Sequence, residues 1–298
     1  MTVREFFPLP TRDFPVTKVD QLAFFVQDEI ELMNGRLILS PGIRYDDFEA
    51  KATADAVYLA GNPGISAPED FSDSEVTAKL GVVYEFTSDL SIYGNVSEGF
   101  RAPPYDDVNV GFTNFIGGYK TISNAALESE TSIGYEIGTR LRGGWGSVNV
   151  AVFKNDYENF IESLATAPAF AGSGGIDPAD GLLTFQSVNL SEVEIKGLEF
   201  SGELSLAPLN DSLEGSAFKF ALAYAEGENI AAAEPLDSIE PLSAVFGLTY
   251  DAPSGKWGGD LVFSLAKGKD ASDINSTSAR SETSGYGSLD LMSYLQVS

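Results

Sequence analysis

The sequence predicts an all-β protein: an antiparallel, up-and-down transmembrane β-barrel of which this chain supplies part. Three features carry that expectation. Apolar and polar side chains alternate with period two from end to end, connections alternate between tight and long, and aromatics gather beside the tight turns. No apolar run reaches the roughly 18 residues of a membrane-spanning helix, but transmembrane strands are short and alternating and leave no such run.

Eleven alternating segments follow one another. The first two, 22–33 and 36–48, bracket Asn34-Gly35, a dipeptide suited to a tight hairpin. In 75–86, Val76, Ala78, Leu80, Val82, Tyr84 and Phe86 share one face, and Thr87-Ser88-Asp89 turns the chain into 90–100. Segment 131–142 sets Ile133, Tyr135, Ile137 and Leu141 against Gly134, Glu136, Gly138 and Arg140, and Gly143-Gly144-Trp145-Gly146 leads into 147–160. In 186–206, Leu198, Phe200, Leu204 and Leu206 oppose Glu199, Ser201, Glu203 and Ser205; 217–226 repeats the pattern after a longer turn at 207–216. Segments 242–251 and 257–267 flank Ala252-Pro253-Ser254-Gly255, and 285–297 is the last. Between the hairpins lie polar or glycine-rich stretches at 49–74, 101–130, 161–185, 227–241 and 268–284. Such asymmetry is that of a barrel with short periplasmic turns and long extracellular loops.

Charge follows the same division. Lys79, Glu85, Glu136, Arg140, Arg142, Glu199, Glu203, Lys219 and Asp260 fall opposite the apolar faces, where a watery lumen tolerates them. Tyr84, Phe86, Trp145, Tyr250 and Trp257 lie where an interfacial girdle belongs. With 44 acidic and 18 basic residues the net charge is −26, which excludes nucleic acid as a partner. Cysteine and histidine are absent, removing disulfides, thiolate metal sites and the Ser-His-Asp triad. No catalytic residue, resident cofactor or metal site is expected. Loop carboxylates such as Glu69, Asp70, Asp73, Asp106 and Asp107 read first as solvating groups and second as calcium ligands. An odd strand number with two unpaired edges is untenable in lipid, so the chain is expected to be an internal piece of a larger barrel.

Two stretches are distinctive: Leu90-Ser-Ile-Tyr-Gly-Asn-Val-Ser-Glu-Gly-Phe-Arg-Ala-Pro-Pro104, and Leu127-Glu-Ser-Glu-Thr-Ser-Ile-Gly-Tyr-Glu-Ile-Gly-Thr-Arg140. Together with Ala23–Ile30, Pro41–Tyr45, Ala151–Ile161 and Val188–Glu199, in that order, they resemble the barrel of TonB-dependent outer-membrane receptors. The resemblance implies that residues 1–298 are a partial barrel domain, about eleven of 22 strands, without plug domain or signal peptide. It also implies an outer-membrane location in a Gram-negative bacterium, contact with outer-membrane lipid, and coupling to the TonB complex through an N-terminal region outside this chain.

Phe100-Arg101-Ala102-Pro103 resembles the FRAP box of haem and haemoglobin receptors. The companion Asn-Pro-Asn-Leu box falls at Asn124-Ala125-Ala126-Leu127, where Asn124 and Leu127 match. The histidine that the family places between the boxes has no counterpart here. Tyr105 and Tyr119 are the residues there whose phenolates could hold haem iron, with Lys120 as a neighbouring cation; packing is their other reading. The expected function is active uptake of an iron chelate or haem. A passive porin and a soluble β-rich interaction protein are the alternatives.

Overall fold

The computed structural model describes residues 12–62, 67–276, 278 and 280–297. Eleven long strands run in sequence order, each paired antiparallel with the next: β1 (Val16–Gln27), β2 (Leu37–Thr53), β3 (Phe71–Glu85), β4 (Leu90–Arg101), β5 (Glu130–Gly143), β6 (Gly146–Thr166), β7 (Leu183–Ser205), β8 (Ser216–Asn229), β9 (Ser243–Asp251), β10 (Trp257–Ala266) and β11 (Tyr286–Leu295). Four short strands, Ile30–Leu32, Phe112–Asn114, Tyr119–Ile122 and Glu234–Pro235, complete a 15-stranded sheet. Ten of the expected segments lie in one strand each, and the first, 22–33, divides between β1 and the short strand Ile30–Leu32.

Several strands outrun those segments. β6 has 21 residues and β7 has 23, whereas a bilayer is crossed in about 9–11. Four loops shrink accordingly, to 54–70, 102–129, 167–182 and 230–242, while the last, 267–285, is two residues longer than expected. The reason is local: Asn159 and Leu164 take positive φ, and the β6–β7 register shifts between Gln186 and Val188. A bulge of this kind adds a residue and changes the phase of the alternation, so the pattern stops looking like strand before the strand stops.

The register sorts the side chains into two faces. On one face, Ile137 stands opposite Val152, Val152 opposite Leu198 and Leu198 opposite Tyr224. Nearer the tight turns, Phe220 stands opposite Phe246 and Phe246 opposite Phe263. This apolar belt is four or five outward positions tall, as in Phe218, Phe220, Leu222 and Tyr224, or about 20–30 Å along a strand. It ends abruptly: on the same face the next positions are Lys154, Asp156, Glu194, Lys196 and Glu226, joined by Lys154–Glu194 and Lys196–Glu194 ion pairs of 3.0 Å. Tyr45, Tyr135 and Tyr224 stand at that upper edge, all more than a third exposed. At the lower edge Tyr84 meets Phe86 at 4.7 Å and Tyr250 meets Trp257 at 5.0 Å. The belt therefore has an aromatic girdle at both margins; the sequence showed only the lower one.

The opposite face carries the charges expected of it, with Glu203 facing Lys219 and Arg140 facing Asn149. It is not uniformly polar. The Tyr93 ring lies over Gly138 and the Phe153 ring over Gly197, where a Cβ would approach ring carbons to 2.3 and 2.5 Å. Aromatic cover of this type stiffens glycine-bearing strands.

β1 and β11 are the two edges, and among the described residues neither outer edge has a strand partner. Both run toward the tight-turn end, because ten connections separate them. Direct closure would pair them parallel. An antiparallel barrel can close here only through an odd number of further strands.

Candidate ligand-binding loops at one end of the sheet

The five long connections all emerge at the end opposite the tight turns, and three of them are knitted into one body. Pro103 ends β4 and is fully buried; Pro104 opens the short helix α1 (Tyr105–Asn109). Asp107 on that helix accepts the hydroxyls of Ser187 at 2.8 Å and Ser163 at 2.9 Å, so the loop is pulled across β6 and β7. Asp107 is thus a structural acceptor and not the solvating group expected. Among the described residues no group of three or more acidic side chains is arranged to hold a metal ion.

Asn109 exchanges two 2.9 Å hydrogen bonds with the Glu69 backbone and accepts the Tyr58 hydroxyl at its carbonyl, 3.3 Å away. Tyr58 is 1% exposed, and burial pushes its phenol pKa up. Loop 54–70 is therefore docked on loop 102–129.

The motif residues have defined places. Arg101 projects from the polar face toward Glu130, Nη1 to Oε2 3.5 Å, and the same Oε2 accepts the Ile161 N–H at 2.9 Å. Glu130 is buried, and its carboxylate joins the Arg101 side chain of β4 to the Ile161 backbone of β6. Phe100 sits on the opposite face of β4, and Ala102 is the residue between strand and proline. Asn124 caps its own turn by accepting the Ala126 N–H at 3.0 Å and donates to the Ser187 carbonyl at 2.9 Å. Leu127 is 3% exposed. The FRAP-like and Asn-Pro-Asn-Leu-like residues converge on the same stretch of β6 and β7, as clamps for the loop between them.

That loop forms a hairpin of Phe112–Asn114 and Tyr119–Ile122, whose second strand pairs parallel with residues 183–186 of β7. Tyr119 lies between Phe112 and Phe185, with ring centroids at 5.8 and 6.3 Å. Tyr105 is 39% exposed and meets Phe14 edge-on at 5.9 Å. Lys120 follows Tyr119 in a strand and so points to the other face. Its ammonium is bonded to Asp177 at 2.5 Å and Asp180 at 2.8 Å, tying loop 102–129 to loop 167–182. Desolvation alone would lower the Lys120 pKa, but the two carboxylates outweigh it and raise it; hydrogen bonds from Lys120 and the Ala179 N–H lower that of Asp177. The depressed Asp177 contributes its stabilisation at neutral pH and loses it as pH falls through its lowered value. The structure thus separates Lys120 from the Tyr119 phenol and does not bring Tyr105 beside it.

Beside Tyr119 a cleft of about 650 Å³ opens between β6, β7 and the loops 230–242 and 267–285, lined by Phe185, Leu190 and Leu236 and by Glu162, Glu234, Asp237 and Arg280. Glu162 lies in the loop-side extension of β6, beyond the apolar belt. Burial pushes its carboxyl up, Arg280 and Lys269 oppose the rise, and Asp237 adds to it. Sequence reading missed this cleft because its lining comes from five separate elements. It also missed the Asp177-x-x-Asp180 clamp, whose spacing about Pro178 was the available signal.

A sheet with one apolar, doubly girdled face, one polar face, tight turns at one end and interlocked loops at the other is the wall of a transmembrane β-barrel. The chain belongs to the TonB dependent receptor-like β-barrel family, which matches residues 4–298. Among curated relatives, haemoglobin and haemoglobin-haptoglobin-binding protein A of Haemophilus influenzae is 26% identical over 245 residues, covering 78% of this chain and 22% of that protein. Haemoglobin-haptoglobin utilization protein B of Neisseria meningitidis serogroup C is 27% identical over 289 residues, covering 89% and 35%. The chain thus spans between about a fifth and about a third of these relatives' length. Similar solved structures include the copper transporter OprC, with TM-score 0.70, 17% identity and coverage of 97% of this chain and 41% of that one. A ferric enterobactin receptor from Pseudomonas aeruginosa has TM-score 0.61, 18% identity and coverage of 95% and 47%. At such identities these structures establish the fold alone. The named relatives are receptors and transporters.

Proposed function

We propose that the chain is the barrel segment of a longer outer-membrane receptor that imports an iron-bearing ligand, haem or a ferric chelate, by TonB-coupled active transport. The observation that carries this reading is the family match along nearly the whole chain, together with haemoglobin-binding relatives over most of it. The apolar belt faces outer-membrane lipid, the polar face lines the lumen, and the interlocked loops receive the ligand from outside. The cleft beside Tyr119, with Phe185, Leu190 and Leu236 among its lining residues, offers apolar surface to a flat ligand body, while Glu162, Glu234 and Asp237 outnumber Arg280 in it.

Iron-starved cells expressing the full receptor should grow on haemin or a ferric chelate, and growth should stop when the TonB system is deleted. Growth that persists without TonB would favour the porin. Topology has its own check in a chain free of native cysteine. Ile116→Cys should react with an impermeant maleimide on intact cells and Gly144→Cys should not; the reverse outcome would invert the assignment.

Haem ligation by tyrosine from this segment is testable in the same receptor. Because Tyr119 is flanked by two phenylalanines and Lys120 is held by two aspartates, the double variant Tyr105→Phe, Tyr119→Phe is expected to leave the haemin Soret band unchanged. A band shifted or lost in that variant would show iron–phenolate ligation.

A further inference from the structure

The cleft beside Tyr119 holds one charged group that nothing in the fold uses. Glu162 lines it from the loop-side extension of β6, and among the described residues its carboxylate has neither a hydrogen bond nor an ion pair. Burial pushes its pKa up, the response of an acid held away from water without a close partner.

The other charges of the cleft are engaged. Asp237 gathers both nearby cations: its carbonyl accepts hydrogen bonds from Lys269 Nζ and, at 2.9 Å, from Arg280 Nη1. Arg280 Nε also lies 3.9 Å from the Asp237 carboxylate, which accepts the Asn275 N–H at 2.8 Å. Glu234 accepts the Ser276 N–H at 3.0 Å and the Ser276 hydroxyl at 2.5 Å. These bonds tie loop 230–242 to loop 267–285 and fix one wall of the cleft. Arg280 and Lys269 therefore act on Glu162 only from beyond ion-pair distance, and Asp237 works against them. Three carboxylates and one guanidinium line a space that Phe185, Leu190 and Leu236 make partly apolar.

We propose that the cleft is a cation-selecting subsite: it seats a ferric chelate that carries a free ammonium, with the ammonium against Glu162 and apolar parts of the chelate on Phe185, Leu190 and Leu236. The proposal rests on the reading of the chain as part of an importer of iron-bearing ligands, and it names the ligand class that this cleft accepts. A ligand ammonium supplies the partner that Glu162 lacks, and a charge-assisted hydrogen bond is stronger where water is partly excluded. A carboxylate edge, such as that of haem, would bring a fourth negative charge beside three and leave Glu162 unpaired. Selectivity is the difference between two such ligands, and repulsion of the wrong one adds to attraction of the right one.

The test uses the full receptor and two ferric trihydroxamates that differ in one group: ferrioxamine B, whose free amine is an ammonium at neutral pH, and its N-acetyl derivative, which has no such charge. With radio-iron as label, the parent should bind ferrioxamine B at least about tenfold more tightly than the acetylated chelate. Glu162→Gln should bring that ratio to within about twofold, by weakening the ammonium-bearing chelate alone. A parent that binds the two alike would overturn the proposal. So would a preference kept in Glu162→Gln, since the selection would then come from elsewhere, and so would loss of both chelates in that variant, which would mark a structural role. A parent that binds neither chelate but takes up haemin would overturn the subsite and leave the importer reading standing. A parent that takes up no iron-bearing ligand would defeat that reading itself.

Discussion

Phe220→Arg is expected to abolish assembly of the barrel, while Ala221→Arg, one residue further on, leaves it folded. Phe220 stands in the apolar belt opposite Gly202 and Phe246, with its ring 4.7 Å from Phe200 and 5.9 Å from Phe218. An arginine facing lipid near the bilayer midplane costs about 2–4 kcal/mol, before the lost ring contacts are counted. Ordinary folding stabilities are only about 5–15 kcal/mol. Ala221 projects from the other face, opposite Ser201 and Val245, where a guanidinium can stay hydrated. The heat-modifiable gel band and urea unfolding of the full receptor in lipid would report the difference. Equal damage from the two substitutions would remove the assignment of faces.

Gly146→Ala should be nearly as damaging, through the backbone. Gly146 has φ of +132°, a conformation essentially closed to residues with a Cβ, and an added Cβ would lie 2.0 Å from the Glu203 carbonyl oxygen of β7. Relief of that overlap needs the β5–β6 turn to move away from β7, which breaks the first bonds of the β6–β7 ladder. A loss of roughly 3 kcal/mol or more follows if strain and broken pairing add. Gly144, two residues earlier, is surrounded by open space. A Cβ there would meet nothing within 4 Å, so Gly144→Ala should be neutral within about 0.5 kcal/mol. Urea midpoints of the two variants in the full receptor decide. A neutral Gly146→Ala would show that the turn adapts.

The motif residues illustrate how far a sequence can be read into a site. That Arg101 faces the lumen follows from strand parity and the proline after it. That it meets Glu130, and that Glu130 in turn holds the Ile161 N–H, needs β4, β5 and β6 side by side. Asp107 read as a solvated loop carboxylate because its two hydroxyl donors, Ser163 and Ser187, lie 56 and 80 residues away. Lys120 read as a neighbour of Tyr119, yet in a strand adjacent residues point apart, and its partners Asp177 and Asp180 belong to another loop.

The sequence by itself determined the eleven long strands, their antiparallel order, the tight and loose ends, and the division of apolar from polar side chains in the belt. Those properties are written in nearest-neighbour periodicity and turn chemistry, which act over a few residues. Only the tertiary structure decided how far the strands extend beyond the belt, where the apolar face gives way to charge across several strands at once, and how three loops interlock over the mouth. The register shift beside Leu164 and the positive φ of Asn159 break the period that a sequence reading depends on. Loop contacts join residues whose separation leaves no local trace, because their free energy comes from burial and hydrogen bonds made after the sheet has brought them together.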